Sequence, residues 1–153
     1  MNQYLMEITR MIDKLTVKSL HYEAEGVRVG KKNTSISLVD CFILKYFCED
    51  QHTNQKIGIG ELMLQMNLSR KSVSAAVLRL QTKGYIERRV DELDKRKFNI
   101  LLTVEGERIG QGLKNKELDY LQFILRETTT NEQKAILKFL SRVNQVTVEK
   151  YEG

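Results

Sequence analysis

The stretch that decides the fold is LSRKSVSAAVLRLQTKGYIERRVDELDKRKFNILLT, residues 68–103. Ser69 stands where a helix N-cap is expected, because its hydroxyl can accept an amide hydrogen that the first turn leaves unbonded. Behind it Val73, Val77 and Leu80 recur at spacings of four and three, the period of one helix face. Arg70, Lys71, Ser74, Ala75 and Arg79 fall largely on the other faces. Lys83-Gly84 ends the helix, since glycine enters the left-handed cap conformation without a Cβ clash. Tyr85–Val90 then reads as a strand, Asp91–Arg96 as a polar turn with one apolar residue, and Phe98–Leu102 as a returning strand.

Upstream, Ile59–Met66 reads as a short helix with Leu62, Met63 and Met66 on one side, and Asn67-Leu68 as a tight turn. Two helices across a short turn, followed by a basic β-hairpin, define a winged helix-turn-helix. Ser37 with Asp40 three residues on has the form of a capping box and opens a helix that runs to about Asp50. Leu5, Ile8, Ile12 and Leu15 give a first helix, spanning about residues 2–25, one apolar face; Glu25–Asn33, with Gly26 and Gly30, reads as a loop. Thr103 is placed to cap a long helix reaching about Glu127. Thr130 is placed to cap a last one, with Ile136, Phe139, Leu140, Val143 and Val146 on its apolar side. The expected fold is mainly α with a small β-hairpin wing (α+β), a single structural domain with three parts. These are an N-terminal helix and loop (1–36), a winged helix-turn-helix lobe (37–103) and C-terminal helices (104–153).

Composition excludes several classes. The 153 residues are 41% hydrophobic and 29% charged, the balance of an ordinary globular chain. No run of eighteen apolar residues occurs, and Met1–Arg10 lacks a signal-peptide core, so the expected location is the cytoplasm. Cys41 and Cys48 are too few for a disulfide framework. Seven apart on one helix, they stand about 10 Å from each other, too far for a bridge. They read as core thiols, the alternative being a single-cysteine redox sensor. His21 and His52, with Glu23, Glu25, Glu49 and Asp50, show no spacing typical of a zinc site, so neither metal nor cofactor is expected. No nucleophile–base pair, phosphate-cradling glycine loop or paired carboxylates point to an enzyme.

Charge is the more telling property. Residues 69–103 hold nine basic and four acidic side chains, an excess of five that equals the net +5 of the whole chain. Concentrating the full excess in one helix and one hairpin is the footprint of a surface that meets phosphates.

These residues resemble the multiple-antibiotic-resistance regulator (MarR) family of bacterial transcription factors. The resemblance runs from about Ile36 to Ile109, through Glu61-Leu62, Leu68-Ser69, Val73-Ser74, Leu80 to Gly84, and Arg88. It continues through Asp91-x-x-Asp94-Lys95-Arg96 at the wing tip and Leu102-Thr103-x-x-Gly106 at its exit. It implies a sequence-specific DNA-binding regulator, more often a repressor, that binds a pseudo-palindromic operator as a homodimer formed by the first and last helices. Two positions depart from the family pattern. Ala75 stands where an arginine often follows Val-Ser, and Lys95 stands for the first of two arginines at the wing tip. A helix of this kind enters the major groove by its N-terminal residues, which assigns base or phosphate contact to Arg70, Lys71, Ser72 and Ser74, with Arg79 a turn or more further on. On the wing the same reading assigns Arg88, Lys95, Arg96 and Lys97, with Arg96 the residue for the minor groove because its planar fork suits that narrow site. Asp91 and Asp94 are expected to fix the direction of Arg96, or of Arg88 and Arg89. The family's small aromatic or phenolic effectors make Tyr22, Tyr46 and Phe47 candidate pocket residues, although no particular ligand is assigned. The competing reading is a winged-helix protein-interaction module, favoured only by Ala75.

Overall fold

The computed structural model describes residues 3–32, 34–49 and 56–151, apart from the side chains of residues 20–25 and 146–151. The chain divides into two compact units, residues 1–114 and 115–153. The first contains α1 (Gln3–Glu25), β1 (Val27–Val29), β2 (Thr34–Ile36), α2 (Leu38–Phe47), α3 (Ile59–Met66), α4 (Arg70–Thr82), β3 (Ile86–Val90), β4 (Phe98–Leu102) and the start of α5 (Val104–Leu125). The second holds the rest of α5 and α6 (Thr130–Tyr151). Among the described residues no helix is long and apolar enough to cross a membrane.

Local chemistry sets the boundaries. Ser37 accepts from the Asp40 amide at 3.1 Å while the Asp40 carboxylate accepts from the Ser37 amide at 3.3 Å, a complete capping box. Ser69 accepts from the Ser72 amide at 3.2 Å and so caps α4. Asn67, at φ 49°, makes the left-handed turn between α3 and α4, and Gly84, at φ 74°, makes the one that leaves α4. Thr103 accepts from the Gly106 amide at 3.0 Å and donates to the Gly84 carbonyl at 2.7 Å, so one side chain joins the start of α5 to the end of α4.

Two expectations shift. The last helix is capped by Thr129, not Thr130. The Thr129 hydroxyl accepts from the Glu132 amide at 3.3 Å and the Glu132 carboxylate accepts from the Thr129 amide at 2.7 Å. The segment read as a loop holds a short antiparallel hairpin, Val27 pairing with Ile36 and Val29 with Thr34. Its inward residues Val29 and Ile36 join the core, which is what holds so short a ladder together.

The core of the first unit is made by Ile43 and Leu44 of α2, Ile57, Leu62 of α3, Val73, Ala76, Val77 and Leu80 of α4, and Ile100 of β4, all fully buried. Each of the nine has its whole apolar surface withdrawn from water, which stabilises by about 1.5–3 kcal/mol for a valine, leucine or isoleucine. The stripe expected on α4 is therefore the face that packs against α2, α3 and β3. The β3–β4 wing is paired from Ile86–Leu102 at its root to Val90–Phe98 near its tip.

Candidate nucleic-acid interface

With Val73, Val77 and Leu80 buried, α4 presents Arg70, Lys71 and Ser72 outward from its first turn. Neither Arg70 nor Lys71 has a side-chain partner among the described residues, so both charges are available to a ligand. Ser72 is half committed: its hydroxyl lies 3.0 Å from that of Ser69, within the cap. Ser74 is half-buried, whereas Ala75 beside it is exposed. The same turn carries the unbonded amides of the helix N-terminus, which favour an anion.

Arg79 is placed differently. Its guanidinium donates to both carboxylate oxygens of Asp40, at 2.7 and 3.3 Å, and to the Ser37 hydroxyl at 3.3 Å. Asp40 is 1% exposed, so this pair clamps the middle of α4 to the N-terminus of α2. The residue read as a late DNA contact thus has its fork engaged with Asp40, while its side chain stays 45% exposed at the lobe surface. Asp40 was visible in sequence only as a capping residue, and no local pattern could join positions 39 apart.

On the wing, Lys95, Arg96 and Lys97 are exposed around the tip, together with Leu93 at 95% exposure. Lys97 reaches Asp94 only at 4.0 Å, and the Arg96 guanidinium has no partner among the described residues. The acidic residues do not aim the arginines as expected; they build the turn. Asp91 accepts from the amides of Leu93 and Asp94, at 2.9 and 3.0 Å, and from the Asn99 side chain at 2.8 Å. Asp94 accepts from the Arg96 backbone amide at 3.0 Å. The Asn99 hydrogen bond, followed by the two backbone ones, holds the Asp91 carboxyl down at about 2. Carboxylates serve here because a two-oxygen acceptor can bind several amides at once. Arg89 pairs with Glu87 at 2.6 Å, and Arg88 is half-buried with its Nε buried and unbonded.

The other candidates are accounted for as packing. Cys41 is buried and its thiol is pushed up to about 12, first by burial and then by the neighbouring Asp40 charge. Burial also raises the Cys48 thiol, whose Sγ lies 3.8 Å from the Glu107 carbonyl. Both shifts oppose the thiolate that a redox sensor needs. Tyr46 is buried with its hydroxyl donating to Glu61 at 2.9 Å, and Phe47 meets its ring edge-on at 6.2 Å. Among the described residues no three His, Cys, Asp or Glu side chains gather as metal ligands. Asp50 and His52 lie outside those residues, as do the side chains of His21, Tyr22, Glu23, Glu25 and Val146.

A trihelical lobe with a two-stranded hairpin after its exposed, basic third helix is a winged helix-turn-helix. The MarR family model matches residues 52–97, which span α3, α4, β3 and the turn of the wing and end just before β4. Solved structures match over the whole chain. A MarR family transcription regulator designated SP03579 has a TM-score of 0.77 at 18% identity, covering 98% of this chain and 93% of its own. Streptococcus pneumoniae FabT, solved in complex with DNA, gives 0.70 at 20% identity over 97% and 95%. S. aureus MepR, also solved as a DNA complex, gives 0.70 at 18% over 96% and 99%. No curated protein matches the sequence. The helix-and-wing segment thus matches the MarR family in sequence, and the chain as a whole shares the fold of these structures.

Proposed function

We propose that the protein is a transcriptional repressor that binds a pseudo-palindromic DNA operator as a homodimer in the cytoplasm. The observation that carries this reading is the pairing of two exposed basic elements, the first turn of α4 and the wing tip, on one lobe with the full excess charge of the chain. Arg70 and Lys71 enter the major groove, with Ser72 and Ser74 beside them. Arg96 reaches the minor groove, and Arg88, Lys95 and Lys97 neutralise phosphates. Arg79 acts through Asp40 by fixing how α4 lies on α2. The DNA complexes of FabT and MepR support the reading, since both proteins share this fold.

The dimer rests on apolar faces that are exposed within a single chain. Leu5, Ile8, Ile12 and Leu15 of α1 are 43–62% exposed, and Ile136, Phe139, Leu140 and Val143 of α6 are 41–56% exposed. Faces of this length are covered in a stable soluble protein, and a second copy supplies the cover. Two lobes related by a twofold axis then read half-sites about one helical turn apart.

The deciding measurement is an electrophoretic shift series on the promoter upstream of its own gene, run against random DNA at several salt concentrations. Arg96→Ala is expected to weaken binding to all sequences alike. It should also shallow the log K against log salt slope by about 0.9 for each phosphate left unneutralised. Equal affinity for promoter and random DNA would replace this reading by a protein-interaction module.

A further inference from the structure

At the far end of α4 from Arg70, about 20 Å along the helix, lies a second cluster of positive charge. A cleft of about 500 Å³ opens between the tip of the β1–β2 hairpin, the C-cap of α4 and the first turns of α5, all within residues 1–114. Lys31 and Lys32 reach it from the hairpin tip, Lys83 from the end of α4, and Glu105 and Arg108 from α5, with Tyr85 between them. The Glu105 carboxylate is already used, because Arg108 donates to both its oxygens at 2.6 and 2.8 Å. That pairing, and Lys31 nearby, hold its carboxyl below the usual range. Lys31, Lys32 and Lys83 make no ion pair among the described residues. Three like charges are thus left facing one concave space.

We infer that this cleft binds a small, multiply charged anion, a phosphate- or polycarboxylate-bearing metabolite. The volume is that of a small-molecule pocket. Buried Tyr85 supplies an apolar wall, and the ammonium groups supply donors that a compact anion satisfies from several sides at once. Gly30, at φ 70°, makes the hairpin turn beside α5, where an added Cβ would come within 3.5 Å of the Ile109 side chain. Double-stranded DNA is the less suitable occupant, because its backbone is a convex ridge and the cleft is a recess. The inference stands independently of the DNA-binding reading.

The test is an amide NMR and calorimetric titration of the full-length protein with inorganic pyrophosphate and, separately, citrate, at constant ionic strength. Saturable binding below about 1 mM is expected for at least one of them. The shifts should centre on Gly30, Lys31, Lys83 and Tyr85, and the preferred probe tells phosphate from carboxylate chemistry. The double variant Lys31→Gln, Lys83→Gln should weaken that binding at least tenfold with unchanged melting temperature. Restoring charge with Lys31→Arg, Lys83→Arg should recover most of the affinity. Shifts that fail to saturate, that centre on Ser69–Val73, or that survive the glutamine variant would overturn the site.

Discussion

Arg79 and Arg96 show how differently one residue type is used within a single lobe. The Arg79 fork faces a carboxylate that water does not reach, so truncating it strands the Asp40 charge in the core. Arg79→Ala is expected to cost about 2–3 kcal/mol of unfolding free energy by urea titration, the range for removing a hydrogen-bonded charge partner. Arg96→Ala should leave that value unchanged, since nothing in the lobe depends on its guanidinium. Asp91 gives a pH-dependent counterpart. Its folded carboxyl titrates near 2 against an ordinary 3.8, so the order it lends the turn is complete above the ordinary value and is lost as pH falls through 2. Carbon-detected titration should place its midpoint near 2 and show it rising towards 3.8 in Asn99→Ala, whose side chain makes the leading contribution.

At the scale of elements, α5 is seated by the absence of side chains. A Cβ on Gly106 would overlap the Tyr85 carbonyl, and one on Gly110 would lie 2.7 Å from both the Leu44 carbonyl and the Cys48 sulfur. The two glycines are four apart, so one face of the helix lies directly on neighbouring backbone. Gly106→Ala should therefore destabilise by at least the ~1–3 kcal/mol of an overpacked core, despite alanine's better helix propensity, and thermal melts will read the drop. Caps and turns at Ser37, Ser69, Gly84 and Thr103 were legible because each is settled among residues a few positions apart. The cap of α6 falls one residue before the sequence expectation, within a run of threonines (Thr128–Thr130) where Glu132, three residues after Thr129, singles out the right one. The β1–β2 hairpin was not legible: its strands are three residues long, and packing against residues distant in sequence holds them. For the same reason the pairing of exposed Arg79 with buried Asp40 was not legible, while the outward placement of Arg70 and Lys71 followed from the buried stripe behind them.

At the scale of the molecule, the proposed dimer rests on the exposed apolar faces of α1 and α6, while the lobe has a buried core of its own. A final feature of that lobe concerns time as much as geometry. Apart from the hairpin's own ladder, the Ile100 amide donates to the Ile57 carbonyl at 2.8 Å, and both side chains are fully buried. This stitch fastens the middle of β4 to the chain just before α3, so opening the wing there breaks a bond to the segment that leads into the helices. In deuterated solvent the Ile100 hydrogen should exchange only with unfolding of the whole lobe, whereas amides of Glu92 to Arg96 exchange through local fluctuation. A uniform exchange rate along the hairpin would contradict this. The wing is then a lever whose shaft is tied to the helical core, so that its exposed tip can meet a surface without loosening the anchor.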